Sequence, residues 1–100
     1  MAKKSVGVAD VRALADLFGF LNDATRLNIV CLLDRKEENV GSLCKALKVK
    51  QSKMSHHLGL LKMGRLVVSR RNGKHVIYSL NKEFFGSLMA EFNRRISGKK

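Results

Sequence analysis

Acidic residues are missing from the middle of this sequence. Of the eight Asp and Glu residues in the chain, none lies between Glu38 and Glu83. The same interval holds ten Lys and Arg residues and all three histidines, so it carries +10 of the net charge of +12. Positive charge gathered in one segment favours a polyanionic partner such as the phosphate backbone of DNA or RNA.

Proline and tryptophan are absent, only two cysteines occur, and there is no long apolar run. This composition favours a mainly helical domain with short connections. With 100 residues and 45% hydrophobic content, we expect one domain over residues 1–100 and exclude a second. No run reaches the roughly 20 residues of a membrane helix, and the N-terminus does not resemble a secretion signal. We therefore expect a cytoplasmic protein with no membrane partner.

Helical periodicity accounts for the first part of the chain. A helix is predicted over residues 8–21. Its apolar stripe consists of Val11, Leu14, Ala15, Phe18 and Leu21. Asp23 is a suitable N-cap for a second helix that ends near residue 34, and the charged residues 35–38 are predicted as a loop. A third helix capped by Asn39 and a fourth over residues 51–63 are joined by a tight turn, which is typical of a helix-turn-helix.

The apolar pattern becomes extended after the fourth helix. Stretches over residues 66–71 and 74–80 flank Asn72-Gly73, the pair best suited to a two-residue type I′ turn, so a β-hairpin is predicted. Its tip carries Arg70, Arg71 and Lys74. A last helix begins near Asn81. The order α-α-α-α-β-β-α predicts a mainly α fold with a β-hairpin wing, a winged helix-turn-helix.

The predicted fourth helix has an inward and an outward face. The inward face carries Met54, His57, Leu58 and Leu61. Short or amide-bearing side chains near the helix N-terminus are suited to base edges and phosphates, although capping or a solvated surface is the alternative for Ser52 and Ser55. Together with the wing, the predicted DNA-binding residues are Gln51, Ser52, Lys53, Ser55, His56, Arg70, Arg71 and Lys74.

Two adjacent histidines, His56 and His57, do not make a metal site, because their side chains point roughly 100° apart on a helix. We predict His57 as a packed, hydrogen-bonded structural residue and His56 as a group on the DNA side. His75 in the hairpin is predicted to face solvent or a phosphate.

Three linked motifs carry a family resemblance. They are LNDATRL at residues 21–27, QSKMSHHL at residues 51–58, and RRNGK followed by YSL within residues 70–80. With these motifs in order, the chain from about residue 12 to 80 resembles the ArsR/SmtB family of bacterial winged-helix repressors. The resemblance implies a sequence-specific, dimeric transcriptional repressor whose fourth helix recognises DNA. This chain has Gly64-Arg65 where the family commonly has Ala-Gly, so we expect the left-handed residue that closes the helix to move by one residue.

Many members of that family sense metals, but the ligand positions are not filled in this sequence. The Cys-x-Cys pair of the family corresponds to Asn39 and Gly41, neither of which supplies a thiolate. A second family site uses Asp and His on the last helix, whereas residues 81–100 contain neither and offer only Glu83 and Glu91. We therefore expect no metal site and no cofactor.

The position of Cys31 matches the first of two cysteines in family members that respond to oxidants or reactive sulfur. The second cysteine of those members lies on the final helix, which has none here, while Cys44 lies on the predicted third helix. We predict both cysteines as buried core residues, since free cysteine is commonly buried. A thiol-based redox or reactive-sulfur sensor that uses Cys31 and Cys44 is the alternative.

Enzymatic chemistry has little support, because every carboxylate lies outside the segment that carries the histidines, and no catalytic residue is predicted. A basic RNA-binding module is an alternative of another class, since charge alone does not distinguish DNA from RNA. The placement of aromatic residues favours duplex DNA, because none lies on the fourth helix, where unpaired bases could stack. Five of the six aromatic residues belong to the terminal helices: Phe18, Phe20, Phe84, Phe85 and Phe92.

The terminal helices predict a homodimer. The last helix carries more apolar side chains than one small core absorbs easily, so part of it is expected to pair with the first helix of a second chain; a last helix packed fully on its own monomer is the alternative. A two-fold dimer would place two recognition helices about 34–36 Å apart and bind a pseudo-palindromic operator in double-stranded DNA. The predicted interface consists of Leu14, Phe18, Phe84, Phe85, Leu88, Met89 and Phe92.

Overall fold

A computed structural model describes residues 8–97, with side chains from residue 11 onward. Within this range the chain forms five helices and one three-stranded antiparallel sheet. The elements are α1 (Val8–Phe20), α2 (Ala24–Arg35), β1 (Glu38–Asn39), α3 (Val40–Leu47), α4 (Gln51–Met63), β2 (Val67–Asn72), β3 (His75–Leu80) and α5 (Lys82–Ser97). The predicted winged helix-turn-helix order is confirmed, with β1 as an addition.

The short strand β1 corrects the predicted loop over residues 35–38. Glu38 pairs with Tyr78 and Asn39 pairs with Ile77, which places β1 beside β3 in the sheet order β1-β3-β2. A strand of two residues has no alternating pattern of its own. It forms because β3 offers an edge to which the chain can pair.

Local hydrogen bonds explain where the helices around the turn motif begin. Asp23 accepts a hydrogen bond from the backbone amide of Arg26 at 3.1 Å, and Asn39 accepts one from the amide of Ser42 at 2.8 Å. Both predicted N-caps are confirmed. Lys48 follows α3 in the left-handed conformation with φ of 56°, which turns the chain sharply before α4.

The wing hairpin is present, but its turn lies one residue later than predicted. Asn72 still pairs with His75, so the two loop residues are Gly73 and Lys74. Only Gly73 has a positive φ, of 65°. A glycine with positive φ at the first loop position is typical of a type II′ turn, not the type I′ turn expected from Asn72-Gly73.

Helix α4 ends on a backbone arrangement that corrects another expectation. The left-handed residue is Arg65, with φ of 66°, whereas Gly64 has φ of −81°. The expected move by one residue onto the glycine does not occur. Gly64 has a different role, because a Cβ atom at this position would lie 2.5 Å from the Phe20 ring of α1.

The core lies between the helices and the inner face of the sheet. It consists of Leu14, Leu17, Ile29, Val30, Leu33, Leu43, Met54, Leu58, Leu61, Leu66, Val67, Leu80 and Leu88. The stripe predicted for α1 is only partly inside: Leu14 is buried, but Val11 and Phe18 are 45% and 41% exposed. Leu17 occupies the core position that the stripe left out.

Cys31 is exposed, so its predicted burial is wrong. Helix α2 buries Ile29, Val30 and Leu33, and Cys31 lies on the opposite side, one turn beyond the exposed Leu27. Cys44 is half-buried and packs against the core. Both are free thiols.

Helix α5 closes the fold against α1. The rings of Phe18 and Phe92 meet edge to face with centroids 4.9 Å apart. The buried carboxylate of Glu91 forms ion pairs with Arg94 and Arg95 on the same helix. None of the helices between residues 8 and 97 combines the length and apolar character needed to span a bilayer.

Candidate nucleic-acid interface

Helix α4 presents the outward face that its sequence predicts. Met54, Leu58 and Leu61 are fully buried and fix the helix on the core. The five predicted DNA-binding residues of the helix are all exposed on its other side: Gln51, Ser52, Lys53, Ser55 and His56. The helix therefore carries a continuous polar surface that is free of packing.

The N-terminus of α4 is open. Lys50 occupies the N-cap position and makes no side-chain hydrogen bond to the first turn, and neither Ser52 nor Ser55 occupies that position. The first amides of the helix are thus available to a phosphate or to water. Capping, the alternative given for the two serines, does not account for them.

His57 is held on the inner side of this surface, and its predicted structural role is confirmed. Arg26 donates from Nε to the carbonyl oxygen of Phe20 at 2.6 Å, and its Nη1 lies 3.3 Å from Nδ1 of His57. Burial lowers the pKa of His57 below its ordinary value, which keeps the neutral imidazole that can accept this bond. Arg26 thereby connects the end of α1 and the start of α2 to α4.

The cations of the wing differ in whether they have a carboxylate partner. Arg71 and Lys74 are exposed near the tip. Arg70, by contrast, binds both carboxylate oxygens of Glu37, at 2.7 Å from Nη1 and 2.9 Å from Nη2. Sequence reasoning did not find this partner, which lies 33 residues away and carries no motif.

The wing is also attached to the helix it follows. Lys62 of α4 donates to the hydroxyl of Ser69 in β2 at 2.7 Å. The guanidinium of Arg65, at the left-handed position, lies 4.7 Å from the centre of the Phe84 ring of α5. These contacts set the direction in which the hairpin leaves α4.

The acid-free segment, residues 39–82, also has few carboxylate neighbours in three dimensions. Among the side chains of residues 11–97, Arg70 is the only cation of this segment that forms an ion pair with a carboxylate. Of the described carboxylates, Asp23 lies close enough to interact with His57 on the inner side of α4, and none except Glu37 pairs with an exposed cation of α4 or the wing. The positive potential expected from the sequence is therefore retained in the folded chain.

The residues predicted for a dimer interface fall into two groups. Leu14 and Leu88 are buried in the core of their own chain. Phe84, Phe85, Met89 and Phe92 are partly buried against that core, and Phe18 is exposed. Beside them lies an apolar groove of about 720 Å³, formed between α1, α2 and α5 by Phe18, Gly19, Leu21, Asn22, Leu27, Phe85 and Met89.

The positions that correspond to metal ligands in the resembling family have other partners here. The Asn39 side chain caps α3, and the carboxylate of Glu91 is held by two arginines. Over the part of the chain that the structure describes, no group of three or more His, Cys, Asp or Glu side chains is placed to hold a metal ion.

Two helices joined by a tight turn, the second with an exposed polar face, followed by a cationic hairpin, define a winged helix-turn-helix protein. The family described as "Bacterial regulatory protein, arsR family" matches residues 23–69, from the cap of α2 into β2. The HTH-type transcriptional regulator KmtR of Mycobacterium tuberculosis is 33% identical over 87 residues, which cover 85% of this chain and 67% of that protein. The chain belongs to the arsR family of bacterial regulatory proteins, as the sequence motifs predicted.

Other relatives match over shorter stretches. A transcriptional repressor SmtB homolog of Synechocystis is 43% identical over 67 residues, covering 67% of this chain and 51% of that protein. The arsenical resistance operon repressor of Escherichia coli is 47% identical over 66 residues, covering 65% and 56%. The chain thus spans about half the length of these two relatives.

Solved structures extend the similarity to most of the fold. HlyU from Vibrio cholerae superposes with a TM-score of 0.75 at 28% identity, covering 93% of this chain and 100% of that one. A homodimeric winged helix-turn-helix DNA-binding domain from Mycobacterium bovis superposes with a TM-score of 0.72 at 28% identity, covering 97% and 91%.

Proposed function

We propose that this protein is a sequence-specific, DNA-binding transcriptional repressor that acts as a homodimer on double-stranded DNA. The observation that carries the proposal is the exposed polar face of α4, which lies in a segment of net charge +10 with a single carboxylate partner among the described side chains. Such a surface suits a helix that enters the major groove between two phosphate backbones. Membership of a family of bacterial regulators supports the same function.

Gln51, Ser52 and Ser55 are proposed to contact base edges or phosphates from the first turns of α4. Their side chains are short or carry an amide, and all three are exposed. Lys53, His56, Arg71 and Lys74 are proposed to hold the phosphate backbone on either side. Arg70, predicted as a further contact, is already bound to Glu37.

The dimer is proposed to form through α1 and α5. Val11 and Phe18 are exposed on one side of α1, and Ile96 of α5 is 63% exposed, so apolar surface remains on these helices after the monomer has folded. The Mycobacterium bovis relative with this fold is a homodimer. A two-fold axis there would present two copies of α4 to successive major grooves of a pseudo-palindromic operator.

The test is a pair of binding titrations after selection of a preferred duplex from a random pool. If each dimer neutralises about 6–10 phosphates, affinity for the duplex should fall roughly 10³–10⁵-fold between 50 and 200 mM salt. Single-stranded RNA of the same length is the matched competitor. A complex that ignores salt, or equal preference for the RNA, would refute the proposal.

A further inference from the structure

The outer face of the wing sheet carries one row of side chains across all three strands. Side chains alternate along a strand, and Val67 of β2 and Leu80 of β3 point inward to the core. Arg70 lies three residues after Val67, so it points outward. It is opposite Ile77 of β3, and Ile77 is in turn opposite Asn39 of β1.

Glu37 reaches this row from the other edge of the sheet. It lies directly before β1, two residues ahead of Asn39, while Arg70 lies on β2 at the opposite edge of the sheet. The pair therefore spans the central strand β3. Both terminal nitrogens of the guanidinium bind, one to each carboxylate oxygen, at 2.7 and 2.9 Å. Planar, two-point contacts of this kind fix direction as well as distance.

The position of β1 gives the contact its importance. This strand has two residues, and α3 begins directly after it at Val40. A shift of β1 would thus shift the first helix of the helix-turn-helix. The contact between Glu37 and Arg70 joins the segment that enters α3 to the strand that enters the wing tip. Arg70 also keeps the pKa of Glu37 below its ordinary value of 4.5, so the carboxylate is ionised at neutral pH.

We propose that Glu37 is a positioning residue for DNA binding, which fixes the wing relative to the helix-turn-helix through Arg70. Arg70 then links β2 to the residue that precedes β1, and it does not bind a phosphate. The inference rests on the proposed function. The competing arrangement is an exchange in which a phosphate takes Arg70 away from Glu37. That exchange would leave an unpaired carboxylate close to the DNA backbone, where repulsion opposes binding.

The experiment compares variants that differ in charge by the same amount. Glu37→Gln and Glu38→Gln each remove one acidic charge at neighbouring positions, but Glu38 has only a 4.0 Å contact to Lys36 and none to Arg70. If the contact between Glu37 and Arg70 positions the wing, Glu37→Gln should bind the selected duplex about two- to fivefold more weakly per protomer than Glu38→Gln. This range corresponds to the interaction energy of an exposed ion pair. A melting temperature for each variant checks that the monomer fold is retained.

Arginine variants distinguish a residue that positions the wing from a residue that binds a phosphate. Arg71→Gln should lower the slope of log affinity against log salt by about 1 per protomer, because a phosphate contact is lost. Arg70→Gln should weaken binding with an unchanged slope. The exchanged pair Glu37→Arg with Arg70→Glu, which keeps the net charge, should restore binding to within about twofold of wild type if the contact is the cause.

Opposite results overturn the inference. If Glu37→Gln binds more tightly than Glu38→Gln and Arg70→Gln lowers the salt slope, Arg70 is a phosphate anchor that Glu37 holds back. If Glu37→Gln and Glu38→Gln bind equally, or the exchanged pair does not restore binding, Glu37 has no positioning role. Failure of the wild type to bind duplex DNA would instead refute the proposed function.

Discussion

The acid-free segment over residues 39–82 and the terminal helices α1 and α5 differ in which cations have carboxylate partners and in which apolar side chains are exposed. In the segment, core-facing apolar side chains such as Leu58 are buried, although Met63 and Val68 are exposed, and most cations have no carboxylate partner among the described side chains. On α5, the arginines near the C-terminus are paired with Glu91. Apolar side chains remain exposed there instead, among them Ile96.

The difference shows how one small chain can serve two kinds of partner. Unpaired charge costs little in water and gains much beside a polyanion, whereas exposed apolar surface gains most from another apolar surface. The acid-free segment leaves exposed the cations that DNA would neutralise, and the terminal helices leave exposed the apolar side chains that a second chain would cover. Substitutions that reverse these surfaces should therefore have effects of different kind and size.

The largest effect is expected from charge placed on the apolar side of α1. Val11→Glu should prevent dimer formation and lower affinity for the selected duplex by about 10²–10⁴-fold, the range lost when two linked sites become one. Val11 is exposed, so the monomer should fold. Sedimentation measures the assembly, and Asn28→Glu on α2 is the matched control. A Val11→Glu protein that remains dimeric would place the interface elsewhere.

A second effect lies where the two regions meet. Gly64→Ala should lower the free energy of unfolding by about 1–3 kcal/mol, because the added methyl group would overlap the ring of Phe20. Gly59→Ala in the same helix meets no atom within 4 Å and should be neutral or stabilising by up to about 1 kcal/mol. Urea titrations of both variants measure the difference. Equal stabilities would mean that Phe20 moves aside without cost.

Recognition and anchoring should be separable within the acid-free segment. Ser55→Ala or Gln51→Ala should reduce discrimination between the selected duplex and random DNA by about 1–3 kcal/mol, because a base contact is lost. Arg71→Ala or Lys74→Ala should weaken both complexes by similar factors. Titrations of each variant with both duplexes give the comparison. Loss of discrimination in the wing variants alone would reverse the two roles.

A smaller effect is expected from pH through His57. Burial lowers the pKa of this imidazole below 6.5 in the folded chain, so the unfolded chain binds a proton more readily. Its contribution to stability should be present above the ordinary pKa of 6.5 and should be lost as the pH falls through the lowered pKa of the folded chain. His57→Gln should flatten this part of the melting-temperature profile, and His56→Gln should not. Identical profiles in all three proteins would contradict the assignment.

The smallest expected effect is that of zinc. At modest excess, Zn²⁺ should neither bind stoichiometrically nor release the duplex, because Asn39 and Glu91 are engaged in other contacts. Calorimetry and the binding titration check this.

The exposed Cys31 makes a second comparison useful, in which wild type and Cys31→Ser are treated with an oxidant. Release that is lost only in Cys31→Ser would support the thiol sensor.

Sequence reasoning succeeded where the structure depends on neighbours along the chain. The caps at Asp23 and Asn39, the outward face of α4 and the presence of a hairpin each follow from residues within one or two turns of each other. The predicted family follows from the same local motifs. The relatives show membership of the same family and do not change the predicted fold.

Two of the errors come from contacts between distant residues. β1 exists because β3 offers it an edge, and Glu37 finds Arg70 across that strand. The hairpin turn moved by one residue because Asn72 stayed in the ladder with His75. Cys31 has the spacing of a buried residue, but α2 turns its other side to the core. Neither of the two distant contacts is encoded in a local pattern.

Cations without carboxylate partners also determine where such a repressor spends its time in a cell. Binding to arbitrary DNA of this electrostatic kind has dissociation constants of about 10⁻⁴–10⁻⁶ M, and a genome offers on the order of 10⁶–10⁹ such sites. Most copies would be held on non-operator DNA and would reach their target by sliding and hopping. Occupancy of the operator would then follow the ratio of the two affinities, so a variant that weakens both equally would leave repression nearly unchanged.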